Sequence, residues 1–183
     1  MMKLMMISDI HGDFSSLKKV MDVYDQGDFD KLVILGDILY HGPRNDLPEG
    51  YAPKKCIPLL NAHKHDILAV RGNCDAEVDQ MVLEFPMRAD YLEMYVDGHR
   101  FYLTHGHLYN ETNFPHLNVG DVYCYGHFHI PILEKESDYF KVNPNSISLP
   151  KKGIQSFIAY EDETFKLYSL ENELLDTLNI AGN

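Results

Sequence analysis

Positive charge is scarce in this chain of 183 residues: 16 Lys and Arg stand against 28 Asp and Glu, for a formal net charge of -12. A groove that grips long nucleic acid needs clustered Lys and Arg against the phosphates, and an anionic membrane surface attracts the same residues, so neither partner is expected. Cysteine is scarce as well. Cys56, Cys74 and Cys124 form an odd set with no CxxC spacing, which argues against a disulfide framework and a thiolate zinc site and fits a reducing compartment. No apolar run approaches the ~20 residues of a membrane span. The run 4–7 is too short for the apolar core of a signal peptide and leads directly into Ser8-Asp9. A cytoplasmic protein is expected. Repeats, low-complexity tracts and linkers rich in Pro, Gly or Ser are all missing, so residues 1–183 read as one domain.

What is present is a globular composition, 45% hydrophobic and 24% charged, in a chain long enough to bury a core without cross-links. The first half alternates apolar runs with helical spacing. Segments 3–8, 32–35 and 67–70 read as strands. Asp13 is placed to cap a helix whose apolar positions are Phe14, Leu17, Val20, Met21 and Tyr24, with Gly27 ending it. A second helix is expected from about Pro53, with Pro58 forcing it to start late or bend. A third, short one is expected over 76–83. The second half reads mostly as strand: 91–96 and 100–104 flank the hairpin signal Asp97-Gly98-His99, and 121–125, 140–143, 155–160 and 164–169 follow. The order βαβαβα and then β predicts an α/β protein in which two sheets pack face to face with helices outside.

Five polar clusters each follow a predicted strand: Asp9-Ile10-His11, Gly36-Asp37, Gly72-Asn73, His105-Gly106-His107 and Gly126-His127-Phe128-His129. Ligand sites of α/β folds lie beyond the carboxyl ends of strands, so the five clusters should converge on one patch. Taken singly, each is an ordinary turn sequence. Their coincidence at five strand ends is what points to a site. Asp, Asn and His without a thiolate suit Mn²⁺, Zn²⁺, Fe, Co²⁺ or Ni²⁺ better than Ca²⁺, which takes oxygen ligands only. The candidates exceed what one ion needs, and two ions sharing a bridging carboxylate would use them. Two metals ~3.5–4 Å apart are a known arrangement for phosphoester hydrolysis.

In this order the clusters resemble the signature of the calcineurin-like metallophosphoesterase family over residues 3 to about 148, and the loop from Leu35 to Pro53 with Arg71-Gly-Asn-Cys-Asp is similar to its YfcE-like bacterial phosphodiesterase branch. The resemblance implies a four-layer α/β/β/α sandwich of two mixed sheets, a binuclear metal site and phosphodiesterase activity on a small diester. It assigns Asp9, His11 and His129 to one ion, Asn73, His105 and His127 to the other, and Asp37 to both, with Mn²⁺ the expected metal. Two departures stand out. Cys74 occupies the position where many relatives carry a histidine that helps the leaving group depart. Asn145 replaces a glycine in Asn143-Pro-Asn145-Ser, and Asn is the residue that best tolerates positive φ after glycine.

The remaining candidates divide between catalysis and structure. Arg44 is placed either to grip a substrate phosphate or to pair with Asp46 or Glu49. His107 is expected to touch the phosphate or to support a ligand from behind. His41 either lines the pocket or packs in its loop. Asp75 is expected to cap the following helix through the Val78 amide. Cys56 and Cys124 read as core, and His63, His65, His99 and His116 as solvated. The expected reaction is attack on phosphorus by a hydroxide that the ions generate at neutral pH, assisted by Asn73, His105, His107, Cys74 and Arg44. Phosphomonoester hydrolysis at the same site and a metal-free scaffold are the alternatives, and a homo-oligomer is left open.

Overall fold

The computed structural model describes residues 2–182. Four segments build the first half: β1 (Leu4–Ile7), α1 (Phe14–Gln26), β2 (Lys31–Ile34) and α2 (Pro53–Asn61), followed by β3 (Ile67–Ala69). The second half runs β4 (Tyr91–Val96), β5 (His99–Thr104), β6 (Val122–Cys124), β7 (Ile132–Lys135), β8 (Phe140–Asn143), β9 (Ser156–Glu161), β10 (Thr164–Ser169) and β11 (Leu174–Asn179). One sheet has the order β11-β10-β9-β1-β2-β3 and the other β4-β5-β6-β8-β7, and both are mixed.

Period-two alternation explains the layering. In β1, which is buried throughout, Met5 and Ile7 face α1 and α2 through Leu17, Val20, Met21, Cys56 and Leu60. Leu4 and Met6 face the opposite way, into a core shared with Phe101, Leu103, Val122, Cys124 and Phe140 of the second sheet. Both helices therefore cover the outer face of the first sheet. The outer face of the second sheet presents Tyr102, Tyr123 and Tyr125, and the loop 105–121 covers it through Tyr109 and Leu117. That loop, in place of a helix, forms the fourth layer.

Several local expectations need correction. The α2 helix starts at Pro53 and continues through Pro58 without a late start. Segment 76–83 forms only a 3-10 turn, Asp79–Met81, because side chains claim its backbone groups: the Ala76 amide donates to Asp79, and Gln80 binds Leu83 O, Phe85 O and the Met87 amide. Strands β7 and β11 lack sequence alternation. They are edge strands with exposed positions, so no face-by-face burial pattern marks them.

Candidate metal centre

The loops after β1, β2, β3, β5 and β6 meet at one end of the sandwich. The Asp9 amide donates to Gly36 O at 3.1 Å, the His11 amide to Asp37 O at 2.9 Å, and the Gly126 amide to His105 O at 2.9 Å. These contacts need unusual backbone. Asp9, His11, Asp37, His127 and His129 all have positive φ, between 47° and 65°. Such residues are uncommon outside glycine, carry strain, and cluster at functional sites. Two glycines make the crowding possible: a Cβ on Gly72 would lie 2.1 Å from Asp37 Oδ1, and one on Gly126 would lie 1.8 Å from Ser8 Oγ.

The imidazoles are oriented from behind. Nδ1 of His11 donates to Tyr40 O (2.9 Å), Nδ1 of His105 to Leu35 O (2.6 Å), and Nδ1 of His129 to Leu149 O (2.5 Å). A carbonyl only accepts, so in the neutral rings the proton sits on Nδ1 and Nε2 presents a lone pair. Those lone pairs point at each other and at carboxylates. His11 Nε2 is 3.4 Å from His129 Nε2, and His129 Nε2 is 3.1 Å from Asp9 Oδ1. Asp37 Oδ2 lies 3.4 Å from His105 Nε2 and 3.7 Å from His11 Nε2. Asn73 Oδ1 is 3.1 Å from His105 Nε2. The His127 amide donates to Asp9 Oδ2 at 3.0 Å, and its ring centroid is 5.1 Å from that of His105.

Carboxylates and ring nitrogens gathered this closely favour a cation among them. Without metal, protons take that part. Burial would lower the His105 ring, but Asp9 and the hydrogen bond and charge of Asp37 raise it to about 9. Burial would raise both carboxylates; instead the charge of His105 holds Asp9 below its ordinary range, and the His105 hydrogen bond and charge with the Cys74 amide do the same for Asp37. Nitrogen and oxygen donors with outward-facing lone pairs and carbonyl-anchored Nδ1 atoms fit a transition-metal or Mn²⁺ ion. Asp9, His11 and His129 bring one donor atom each within 4.8 Å of one another, as do Asp9, Asp37 and His105, and also His11, Asp37 and Cys74.

The structure thus gathers Asp9, His11, Asp37, Asn73, His105, His127 and His129 in one patch. Arg44 and Cys74 line the adjoining pocket of about 290 Å³, together with Lys151 and Phe128. Arg44 makes no ion pair with Asp46, Glu49 or any other carboxylate among the described residues. The Cys74 thiol accepts from Asn73 Nδ2 at 3.2 Å, and burial with the nearby Asp37 charge pushes it up to about 12. His107 is half-buried with its ring 5.3 Å from His105; burial and the His105 charge lower it to about 4. His41 packs in its loop against Tyr40 and Tyr51.

Two residues behave differently from expectation. Asp75 caps no helix: its carboxylate accepts from the amides of Asp37 (2.9 Å), Ile38 (2.7 Å) and Gly72 (2.7 Å), and so ties the β2 and β3 loops together. His99 is buried, with Nδ1 donating to Gly120 O at 2.8 Å. Lys151 escaped sequence reasoning because no motif marks it. It is carried to the pocket by its amide, which donates to His129 O at 2.9 Å.

Two mixed sheets with carboxylates and imidazoles gathered at their strand ends define a metal-dependent phosphoester-hydrolase fold, and the chain belongs to the calcineurin-like phosphoesterase superfamily, whose domain matches residues 2–164. Among its relatives is the phosphodiesterase YfcE of Escherichia coli (strain K12), 51% identical over 153 residues that make up 84% of this chain and 83% of the relative. A solved structure of the E. coli phosphoesterase YfcE superimposes with a TM-score of 0.95 at 44% identity, covering 98% of this chain and 100% of that one. A Zn²⁺ complex of Vps29 from Entamoeba histolytica shares the fold alone, with a TM-score of 0.63 at 14% identity over 98% of this chain and 99% of that one.

Proposed function

We propose that this chain is a metal-dependent phosphodiesterase that hydrolyses a small diester with two divalent ions, Mn²⁺ being the expected metal. The observation that carries this reading is the convergence of the His11, His105 and His129 Nε2 lone pairs on the carboxylates of Asp9 and Asp37. Asp9, His11 and His129 would hold one ion, Asn73, His105 and His127 the other, and Asp37 both. When bound, such ions supply Lewis acidity toward a phosphoryl oxygen and a nucleophile activated at neutral pH.

The chain's own groups do the rest. Arg44 and Lys151 place two cationic side chains on the pocket wall, where an anionic diester is otherwise repelled by a protein of net charge -12. His107 is held low by burial and the His105 charge, and its Nδ1 is buried without a protein partner, so the ring acts from behind His105 and not on the pocket wall. Asp75 fixes the Asp37 and Gly72 backbones and thereby the spacing of the ligand loops. Cys74 remains a thiol and offers the leaving group only a weak donor. Metal analysis of purified protein, with turnover of bis(p-nitrophenyl) phosphate measured with and without Mn²⁺, tests the assignment. Bound metal and Mn²⁺-dependent turnover are expected. A protein that holds no metal and stays inactive with Mn²⁺ is a scaffold, and the proposal fails.

A further inference from the structure

A second cavity opens beside the first. It measures about 740 Å³ against about 290 Å³, and the two share His127 and Phe128 as a common wall. A phosphate group needs only the smaller one. The larger is an aromatic groove on the outer face of the second sheet. Its floor is the Tyr123–Tyr125 pair, stacked at 4.6 Å and almost fully buried. Phe114 leans on Tyr123 at 5.5 Å and on Tyr139 at 5.3 Å. Phe114 and Phe128 are 42% and 41% exposed, so large apolar side chains line both sides of an open slot. Charge in the groove is sparse and mostly acidic: Lys141 pairs with Glu111 at 3.8 Å, and Glu136 lies nearby.

These features select a ligand. Pockets of several hundred Å³ with aromatic walls and few polar groups bind flat organic groups. Rings in slots of this kind are held by stacking and edge contacts. The two glutamates disfavour a second phosphate, so a polymer or a polyphosphate does not fit. We infer that the groove takes an uncharged aromatic ester arm, aryl or nucleobase-bearing, of a substrate whose single phosphodiester sits at the neighbouring pocket. His127 and Phe128 join the two compartments. The inference deepens the phosphodiesterase reading and rests on it only for the phosphate end.

Ligands with one arm test it. Calorimetry on Zn²⁺-loaded protein would compare phenylphosphonate with methylphosphonate, which share the anionic head. Phenylphosphonate should bind about tenfold or more tightly, in line with one stacked ring. Phe114→Ala should shrink that ratio several-fold. Nuclear Overhauser contacts should connect the phenyl protons to the rings of Tyr139 and Phe128. Equal affinities, or phenyl contacts elsewhere, overturn the groove and leave the phosphodiesterase reading intact. If neither phosphonate binds, the phosphate reading fails, and contacts from millimolar phenol to the same rings decide the groove alone. If Phe114→Ala leaves the ratio unchanged but alters the sedimentation of the protein, the groove is a contact between copies of this chain and the proposal is wrong.

Discussion

At the scale of single residues, Asp37 carries the most. Its carboxylate faces His11 and His105 and accepts the Cys74 amide. Asp37→Ala should reduce turnover by several orders of magnitude while the far-UV circular dichroism stays native; near-normal activity at saturating Mn²⁺ would sink the two-ion reading. Asp75 acts through others. Asp75→Ala leaves three buried amides without a partner, and each such group costs ~1–3 kcal/mol. Asp75→Asn keeps oxygen acceptance on one side and should recover part of both stability and kcat. On the proposed reading, Cys74 stands where the leaving group departs. With a thiol pushed to about 12, protonation of a departing alkoxide is feeble, so rate should fall steeply as leaving-group pKa rises. Cys74→His should flatten that slope in a kcat/KM series at fixed Mn²⁺, and parallel lines would remove position 74 from leaving-group departure. The meeting of these seven residues in one patch was legible because each follows a strand, and their part as ligands belongs to the proposal. Asp75 was misread because the capping pattern is local, whereas two of its real partners, Asp37 and Ile38, lie in another loop.

At the scale of elements, legibility followed burial. The strands β1, β2 and β3 are short apolar runs because the two helices cover one face of their sheet and the second sheet covers the other, and α1 was delimited by chemistry at both ends. Asp13 accepts the Ser16 amide at 3.1 Å and the Ser16 hydroxyl at 2.9 Å, and Gly27 stands at the other end. Asp13→Ala should cost ~1 kcal/mol or somewhat more and lower Tm by about 3 °C, since the helix loses its cap and the Ser15 and Ser16 hydroxyls lose their acceptor. An unchanged Tm would mean that α1 is held by its buried face alone. Asn145, the residue replacing glycine, keeps its turn: φ is 73°, and its amide donates to Asn143 Oδ1 at 2.9 Å. The edge strands and the 3-10 turn were illegible for the opposite reason. The turn is fixed by side-chain bonds from Asp79 and Gln80 and by Asn61 of α2 on Val82 O and the Glu84 amide, and the edge strands by their neighbours in the sheet, none of which a local period encodes.

At the scale of the whole molecule, the centre couples ion, proton and stability. His105 has a folded pKa of about 9 against an ordinary 6.5, so its contribution is full below ~6.5 and is lost as pH rises through about 9. The lowered carboxylates contribute above their ordinary range near 4 and add no slope in this window. Chelated protein should therefore lose on the order of 3 kcal/mol between pH 6.5 and 9.5, seen as a Tm drop of roughly 6–12 °C. Protein saturated with a divalent ion should show little of that slope, because the ion displaces the proton. It should also melt higher than chelated protein at pH 7 by an amount that grows with free ion concentration. Identical melting curves with and without ion would show that nothing binds at the cluster in the folded state. The face-to-face sheets and the convergence of the loops were legible in the sequence. The placement of both helices on one face was not, because the aromatic outer face of the second sheet is covered by a loop whose residues carry no periodic signal.

The pairing of β1 with β9 sets an order in time. Leu4, Met5 and Met6 lie opposite Tyr160, Ala159 and Ile158, and the Asp9 carbonyl accepts hydroxyl hydrogen bonds from Ser146 and Ser148 at 2.7 and 3.0 Å. Chains are synthesised from the amino terminus at ~5–20 residues per second. When the first strand leaves the ribosome, the strand and serines that fix its ligand loop do not yet exist. His127 and His129 are also still to come. The centre therefore closes only after translation has passed residue 161, and a nascent chain stalled earlier carries its acidic loops open. An ion held by Asp9, His11 and His129 together would find all three donors in place only on a chain whose ninth strand has already been made.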